Sequence, residues 1–368
     1  MNIAMITSSL SSGVRTHLRQ LCNYLVEIGH EVTVVYSERS DTNETELMLD
    51  FNSEISFVKI QVSREIDLRR DFLVIAEYRK ILRNIKPNVV HFHSSKAGAL
   101  GRLASLGVLS KSTKKFYTPH GYSFLRTDVR IYNRIAFWII EFFLAKLSET
   151  IVVSESEKRL AKRLCLKHSK IHLIPNSVEI ANGFETRSLY SQCIATSGRI
   201  TFQKNPAAFV KIAKHARSQD SNIKFLWIGG GTFEDEYAFK QMLDSEGLND
   251  IVSFTGWLSH ESSIRLLKSK VDIYLHTAHW EGLSYSLLEA MSLGIPCVVS
   301  DIPANREVIK SGVNGYLASN INEYVDRLLE IVRNRHVYKR LGESAFRTIK
   351  ERHSLDKMLG EYSKLISS

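Results

Sequence analysis

Two carboxylates with seven residues between them, Glu281 and Glu289, are the clearest candidates for binding chemistry in this chain. They flank a segment predicted to be the first turn of a helix, directly after the apolar stretch Val271–Leu275, which is predicted to be a buried strand. The free backbone N–H groups and the positive end of the helix dipole attract phosphate there. Carboxylates repel phosphate but accept hydrogen bonds from hydroxyls. The segment therefore predicts a ligand with a central phosphate and polyols on both sides, a nucleotide-sugar.

A purely structural interpretation of the same stretch is also open. Ser286 and Glu289 have the S-x-x-E spacing of a capping box. In that case Glu289 would only satisfy backbone donors, and Glu281 would be an ordinary solvated loop residue.

Two cations follow the first predicted strand of the second half of the chain. Arg199 and Lys204 lie in the segments Ser197–Ile200 and Gln203–Asn205. Both can converge on one diphosphate, Arg199 through its planar fork and Lys204 as a mobile point charge. When a nucleotide leaves a sugar, its diphosphate accumulates negative charge, so these cations are predicted to lower the barrier. Surface solvation of the two side chains is the alternative.

The histidines give a second set of candidates. His120 lies in Thr118–Tyr122 at the predicted carboxyl end of a strand, where open α/β sheets place their ligand sites. Its imidazole could hold a hexose hydroxyl or position the reacting centre, although a buried core histidine is the alternative. His91 and His93 share one face of a strand, but no third ligand stands at metal spacing, so no metal site is predicted.

Small-residue loops follow three other predicted strands. Gly13 comes after the first strand and before a helix that contains His17. Gly230 lies in Gly229–Gly231, and Leu258 follows Gly256 after the next strand. Such loops let the backbone approach a phosphate or an acceptor closely.

The run from Glu281 to Met291, continued by Gly294-Ile295-Pro296-Cys297-Val298-Val299-Ser300, resembles the E-x7-E signature of the family 4 retaining glycosyltransferases, which have the GT-B fold. The Arg199 and Lys204 segment is similar to the glycine–arginine and lysine element of that family, and His120 is similar to its strand-end histidine. The glycine-rich N-terminal loop of the family usually has two glycines, and Ser12 stands at the first of them.

The resemblance implies roles for fourteen side chains or backbone positions. The catalytic residues would be His120, Glu281, Arg199 and Lys204. The donor-binding residues would be Gly13, Arg199, Lys204, Gly230, Leu258, Glu281, Gly282, Leu283, Ser284 and Glu289. The acceptor-binding residues would be His17, Lys96 and Arg102, the last two in a Ser94–Arg102 stretch that resembles bacterial surface-polysaccharide glycosyltransferases.

The resemblance also implies a mechanism. Retaining members have no clear enzymic nucleophile, and the acceptor would attack from the leaving-group face while the departing phosphate takes its proton. Glu281 would then hold donor hydroxyls rather than attack the anomeric carbon. Neither a metal nor a cofactor is expected.

Alternating short apolar runs and amphipathic segments predict parallel sheets covered by helices throughout the chain. The expected fold is α/β of the GT-B type, two Rossmann-like domains with parallel sheets facing across a cleft. The predicted boundaries are an N-terminal acceptor-binding domain at 1–174, a linker at 175–190 and a C-terminal nucleotide-sugar-binding domain at 191–353. The helix at 354–368 is expected to pack on the N-terminal domain.

The net charge of +10 is concentrated in one region, because residues 79–170 hold 19 Lys and Arg against 5 Asp and Glu. This basic block predicts a polyanionic partner. A membrane surface or a lipid diphosphate is favoured over nucleic acid, for which no binding motif is found. Solvation of helices is the alternative explanation of the charge.

Ile131, Ile135, Trp138 and Phe142 lie on one face of a predicted helix, and Glu141 lies on the other. The helix is interpreted either as a core helix or as an interfacial helix that rests on lipid. Four scattered cysteines and the absence of a signal peptide before the first strand indicate a reducing cytoplasm. The expected location is therefore cytoplasmic, peripheral on the inner face of the membrane.

The sequence thus predicts a retaining transferase that moves a hexose or N-acetylhexosamine from a nucleotide-sugar, expected to be a UDP-sugar, to a polyprenyl-diphosphate-linked saccharide. The process would be O-antigen or capsule assembly in bacterial surface-polysaccharide synthesis. Two rivals stay open, a nucleotide-sugar epimerase of GT-B-like build and a nonenzymatic membrane-peripheral protein that binds sugar nucleotides.

Overall fold

The structure is a computed structural model that describes residues 1–37, 50–63, 66–164, 170–180 and 192–367. The chain forms two compact units. One comprises Met1–Asn176 together with Met358–Ser368, and the other comprises Ser177–Lys357. The predicted linker at 175–190 lies mostly outside the described residues, which end at 180 in this region.

The first unit contains seven strands and the helices that connect them. The strands are β1 (Asn2–Thr7), β2 (Glu31–Ser37), β3 (Ser56–Ile60), β4 (Val89–His93), β5 (Lys114–Thr118), β6 (Glu149–Val152) and β7 (Ile171–Leu173). The described helices are α1 (Ser12–Glu27), α2 (Leu68–Ile85), α3 (Ser95–Ser105), α4 (Ile131–Leu144) and α5 (Glu155–Arg163), with short 3-10 turns at Ser123–Leu125 and Ala145–Leu147.

The second unit contains six strands, β8 (Cys193–Ser197), β9 (Lys224–Ile228), β10 (Val252–Phe254), β11 (Ile273–His276), β12 (Cys297–Ser300) and β13 (Tyr316–Ala318). Its helices are α6 (Pro206–Gln219), α7 (Phe233–Glu246), α8 (His260–Lys270), α9 (Tyr285–Ser292), α10 (Pro303–Val308), α11 (Ile321–Arg333) and α12 (Arg335–Arg352). A 3-10 turn covers Phe202–Lys204, and α13 (Leu355–Ser367) ends the chain.

Both sheets are parallel, which confirms the predicted fold class. The strand order is β3-β2-β1-β4-β5-β6-β7 in the first unit and β10-β9-β8-β11-β12-β13 in the second. In each sheet the order reverses direction once, between β1 and β4 and between β8 and β11. Open parallel sheets bind ligands outside the carboxyl ends of the strands at this reversal. A ligand site in the second unit is therefore expected at the loops after β8 and β11.

The local sequence fixes the loop after β8. Asn205 has a left-handed backbone with φ 56°, and its Oδ1 accepts a hydrogen bond from the Ala208 N–H at 3.1 Å. Pro206 then occupies the first turn of α6, where its missing N–H costs nothing. This N-cap ends the 3-10 turn at Lys204 and so fixes where the lysine side chain leaves the backbone.

The core-helix interpretation of α4 is wrong. Among the residues of this helix only Glu141 and Leu144 are buried, whereas Ile131, Ile135 and Phe143 are 64%, 53% and 65% exposed. The helix thus turns Glu141 inward and most of its aliphatic side chains outward, while Phe137 and Phe142 are half-buried against the core. In the described part of the chain, no helix combines the length and the apolar character that crossing a membrane requires.

Candidate functional site

The loops after β8 and β11 meet through an ion pair between Lys204 and Glu281. Lys204 Nζ lies 2.7 Å from Glu281 Oε1, and the two side chains are 18% and 11% exposed. Backbone contacts join the same loops, because the Thr277 hydroxyl donates to the Lys204 carbonyl at 2.8 Å and the His279 N–H donates to the Gln203 carbonyl at 2.8 Å. A predicted catalytic cation and a predicted hydroxyl-binding acid are therefore direct partners at the reversal of the strand order.

Glu281 is ionised in this environment. Burial alone would raise the pKa of its carboxyl group, but the charge of Lys204 and the nearby His276 outweigh it and lower that pKa to about 2. The Gln203 amide nitrogen also lies 3.4 Å from Glu281 Oε2. The carboxylate is consequently an acceptor with fixed partners, which suits the binding of hydroxyl groups.

Two glycines make room for the lysine and for the strand ends. Gly198 follows β8 with φ 142°, and a Cβ there would lie 3.1 Å from Lys204 Cε. A Cβ at Gly229 would lie 2.3 Å from the Gly198 carbonyl oxygen. Arg199, the second predicted diphosphate ligand, comes directly after this contact and is half-buried. The loops after β8 and β9 thus approach each other more closely than any side chain at these glycines would allow.

Gly229→Ala should destabilise the protein by about 3 kcal/mol or more, because the new methyl group meets a backbone oxygen and the φ of 133° disfavours any side chain. Urea unfolding followed by circular dichroism measures the free energy of unfolding. Gly360→Ala is the control, since a Cβ at that helical glycine meets nothing within 4 Å. We expect the control to be neutral or slightly stabilising. Equal stability of the two variants would contradict the close approach.

The helix after Glu281 begins at Tyr285, with Ser284 as its N-cap. Ser286 lies inside the first turn, so the capping-box interpretation of Ser286 and Glu289 is wrong. Glu289 is instead 12% exposed and lies 3.7 Å from His260 Nδ1. The predicted donor-binding positions Gly282, Leu283 and Ser284 are all buried in the segment that leads into this helix.

Gly230 and Leu258 come from neighbouring loops of the same sheet edge. A Cβ at Gly230 would lie 2.7 Å from Glu236 Oε1 and 3.0 Å from the Trp257 ring. The Trp257 indole N–H donates to the Gly231 carbonyl at 3.2 Å, and Leu258 beside it is 37% exposed. The two predicted positions therefore belong to one joined pair of loops after β9 and β10.

In the first unit, histidines from three different elements meet around the strand reversal. One nitrogen each of His17, His93 and His120 lie within 4.8 Å of one another, and His93 Nδ1 is 3.1 Å from His120 Nε2. Burial, followed by the neighbouring imidazoles, holds the pKa values of His93 and His120 well below the usual range. These neutral rings are the group that could hold a metal ion in the described residues. The sequence missed this convergence, since His91 and His93 alone showed no third ligand.

A buried glutamate orders the turn that carries His120. Glu157 Oε1 accepts a hydrogen bond from the Gly121 N–H at 2.6 Å, and Glu157 Oε2 accepts one from the Val153 N–H at 3.0 Å. His120 itself has φ 52°, a left-handed conformation that is uncommon outside glycine. Sequence reasoning did not single out Glu157, because its contact with the turn of His120 joins backbone and side chain 36 residues apart. The role of His120 at the donor sugar stays a prediction.

The structure does not support His17 as an acceptor-binding residue. Its imidazole is fully buried in α1, and its Nε2 lies 3.2 Å from the Tyr362 hydroxyl of α13. Burial, partly offset by a hydrogen bond to Asn176, lowers the pKa of His17 to about 4. The side chain therefore joins α13 to the first unit. Gly13 lies in the first turn of α1 and follows Ser12. The φ of Ser12 is 50°, a left-handed conformation that glycine adopts most easily.

The two cations predicted to bind an acceptor phosphate already have carboxylate partners. Lys96 Nζ lies 2.8 Å from Asp71 Oδ1. Arg102 is fully buried, lies 2.8 Å from Glu141 Oε2 and stacks over the Tyr117 ring at 3.9 Å. Arg102 cannot reach a ligand from this position, which corrects the prediction. It neutralises the inward-facing Glu141 and so fixes α4 with its apolar side outward.

Arg102→Met should destabilise the protein by about 3–5 kcal/mol, because it leaves the Glu141 carboxylate buried without its cation. The double variant Arg102→Met/Glu141→Leu should recover most of that loss, since no buried charge remains. Urea unfolding measures the free energy of unfolding of both variants. Arg163→Met is the control, because Arg163 is exposed. A single variant as stable as the control would show that the pair contributes nothing.

Two protein families match this chain, one in each half. The family described as Glycosyltransferase Family 4 matches residues 11–182, and that described as Glycosyl transferases group 1 matches residues 187–348. The chain is 28% identical over 289 residues to the Escherichia coli UDP-Gal:alpha-D-GlcNAc-diphosphoundecaprenol alpha-1,3-galactosyltransferase, covering 73% of this chain and 72% of that protein. It is 24% identical over 328 residues to the Escherichia coli O-antigen biosynthesis glycosyltransferase WbnH, covering 89% of this chain and 88% of that protein.

Among solved structures, Anabaena HepE in complex with UDP and glucose superposes with a TM-score of 0.81 at 16% identity, covering 100% of both chains. The apo form of the lipopolysaccharide outer core galactosyltransferase WaaB superposes with a TM-score of 0.69 at 20% identity, covering 100% of this chain and 99% of that one. These likenesses establish the fold, and the two matched families together span both units of the chain. The chain therefore belongs to the family 4 glycosyltransferases of the GT-B fold.

Proposed function

We propose that this glycosyltransferase moves a hexose or N-acetylhexosamine from a UDP-sugar to a polyprenyl-diphosphate-linked saccharide, with retention of anomeric configuration and without a metal. The observation that carries the proposal is the ion pair between Lys204 and Glu281 at the strand reversal of the second sheet. It sets a cation for a diphosphate beside an acid for sugar hydroxyls, the two groups that a nucleotide-sugar requires.

The site would act by stabilising the leaving group of the reaction, the nucleoside diphosphate. As the bond from the anomeric carbon to the diphosphate oxygen breaks, negative charge grows on the diphosphate. Lys204 and Arg199 would stabilise that charge, which is the task of a divalent metal in other enzymes. Glu281 and Glu289 would hold donor hydroxyls, and the segment 282–284 leads into the N-terminus of α9, whose dipole favours phosphate.

Retention is supported by the chemistry that a relative's name describes. The Escherichia coli relative forms an alpha-1,3 linkage from UDP-Gal. The sugar–phosphate bond of UDP-galactose is itself alpha, so that reaction keeps the configuration. Its GlcNAc-diphosphoundecaprenol acceptor, together with the O-antigen assignment of a second relative, supports a lipid-linked acceptor and surface-polysaccharide synthesis for this chain.

A lipid-linked acceptor calls for contact with a membrane, and α4 offers a surface for it. We define the α4 apolar face as Ile131, Tyr132, Ile135, Ile139 and Phe143, which are 44–65% exposed. The helix belongs to the part of the chain that carries the basic block at 79–170. Apolar side chains beside excess positive charge suit the interface of an anionic membrane. The proposed location is the inner face of the cell membrane.

Ile135→Ser/Phe143→Ser should weaken binding to vesicles of phosphatidylglycerol and phosphatidylcholine by at least about 10-fold, because two large apolar side chains no longer enter the lipid. Flotation at low salt measures the bound fraction. Phe233→Ser in the second unit is the control, since Phe233 is 81% exposed and belongs to the other unit. Failure of the wild type to float at low salt would remove the membrane part of the proposal.

A donor screen tests the reaction itself. Nucleotide release is measured for several UDP- and GDP-sugars with a sugar-diphosphate-lipid acceptor, and the anomeric configuration of the product is determined by NMR. We expect release with a UDP-sugar only when acceptor is present, undiminished by EDTA, and an alpha product. Conversion of the donor without acceptor would favour an epimerase. Donor binding without any release would favour a nonenzymatic sugar-nucleotide-binding protein.

A further inference from the structure

A buried histidine lies behind the Glu281 carboxylate. His276 is the last residue of β11 and is 1% exposed. Its Nε2 lies 3.5 Å from Glu281 Oε1, slightly too far for a good hydrogen bond, and has no hydrogen-bond partner among the described residues. A buried imidazole nitrogen without a partner is costly unless some state of the protein supplies one.

The neighbours of His276 determine which of its nitrogens carries the proton. The Asn305 amide nitrogen donates to the Ser300 carbonyl at 2.8 Å, which fixes the amide with its NH₂ group toward the histidine. The same nitrogen lies 3.3 Å from His276 Nδ1. Because an NH₂ group cannot accept, Nδ1 must be the acceptor, and the proton of the neutral ring lies on Nε2. His276 therefore points an N–H group toward Glu281.

In the structure, Lys204 is the cation that holds Glu281. In the proposed reaction Lys204 moves to the diphosphate, and a carboxylate that is 11% exposed would then lose its cation. Two neutral donors would stay beside it, the Gln203 amide nitrogen at 3.4 Å from Oε2 and His276 Nε2 at 3.5 Å from Oε1. A shift of a few tenths of an ångström would make both of them hydrogen bonds.

We propose that His276 is a positioning residue that holds Glu281 Oε1 once Lys204 has engaged the donor diphosphate. This inference rests on the proposed function. Asn305 contributes indirectly, because it keeps the His276 proton on the nitrogen that faces Glu281. The pair would keep the carboxylate ionised and directed at the donor hydroxyls throughout the transfer step.

Steady-state kinetics of two variants tests the proposal. His276→Leu removes the N–H group and should lower kcat/KM for the active UDP-sugar by roughly 10- to 100-fold, since a misdirected carboxylate loses its alignment with the sugar. His276→Gln offers an amide N–H and should restore most of that loss. The Kd of UDP, which lacks the sugar, should be unchanged in both. His336→Leu, at an exposed histidine of the same unit, is the matched control.

Equal kcat/KM in His276→Leu and the wild type would overturn the proposal. A loss of UDP affinity as large as the loss of kcat/KM would also overturn it, because His276 would then only support the loop. The proton position gives a readout that needs no turnover. In long-range ¹⁵N–¹H spectra, with the signal assigned by its absence in His276→Gln, we expect a neutral ring protonated at Nε2.

A ring protonated at Nδ1 would overturn the inference whatever the activity. If the wild type transfers no sugar in the donor screen, the proposed function fails. The spectrum then still decides whether His276 presents an N–H group to Glu281, so the two failures are distinguishable.

Discussion

Lys204→Ala should lower kcat by roughly 10²- to 10³-fold, the size of effect seen when one preorganised group that stabilises transition-state charge is removed, worth about 3–4 kcal/mol. The Kd of the UDP-sugar should change much less. In the ground state Lys204 must give up Glu281, 2.7 Å away, before it can bind the diphosphate, so the exchange yields little net affinity. In the transition state the leaving diphosphate carries more charge, and only there does Lys204 gain strongly.

The measurement is single-turnover transfer together with calorimetric titration of the UDP-sugar. Lys214→Ala is the matched control, because Lys214 pairs with Glu246 in the same unit but at an exposed position. Removing that pair should leave kcat unchanged. Parent-like turnover in Lys204→Ala would remove the lysine from the catalytic assignment. A loss of affinity equal to the loss of turnover would make it an ordinary binding residue.

The same variant should change the pH dependence. The folded-state pKa of Glu281 is about 2, below its ordinary value of 4.5, so the pair contributes stability above pH 4.5 that is lost as the pH falls toward 2. Without Lys204 the main cation that opposes burial is gone, and the pKa of Glu281 should rise. The acidic limb of the kcat/KM profile should therefore lie at higher pH in Lys204→Ala than in the wild type.

Glu281→Gln should impair recognition of the donor sugar without weakening the binding of UDP. We expect kcat/KM for the UDP-sugar to fall by roughly 10- to 100-fold, because hydrogen bonds to a charged acceptor, worth about 1.5–3 kcal/mol, are replaced by weaker ones. The Kd of UDP should be equal to or lower than that of the wild type. Lys204 no longer has a carboxylate to leave, so it is free for the diphosphate.

Competition titration with UDP gives the Kd of UDP, and initial rates with the UDP-sugar give kcat/KM. Glu246→Gln breaks the exposed Lys214 pair and is the control for charge removal as such. Weaker UDP binding in Glu281→Gln would contradict the exchange between Glu281 and the diphosphate. An unchanged kcat/KM would show that Glu281 does not hold the sugar.

Several features of the site could be predicted because they depend on neighbours in the sequence. The alternation of apolar runs and amphipathic segments determined two parallel sheets. The E-x7-E spacing and the cations at Arg199 and Lys204 determined the family, since each motif follows a strand directly.

Tertiary structure alone decided which partner each charged group meets. Arg102 and Lys96 are cations of the kind that bind phosphate. In the fold, however, Glu141 pairs with Arg102 and Asp71 pairs with Lys96, and each acid lies on a different helix from its cation. The Arg102–Glu141 pair also explains why α4 keeps Glu141 inward, because a buried carboxylate needs its cation.

The sequence by itself determined the parallel α/β fold, the family and the set of polar residues after β8 and β11. Only the folded chain decided that Lys204 pairs with Glu281, that His276 stands behind the pair, and that imidazoles from α1, β4 and the loop after β5 converge. The physical reason is range. Helix and strand preferences act over a few residues, whereas ion pairs and buried hydrogen bonds depend on distances set by the packing of whole sheets.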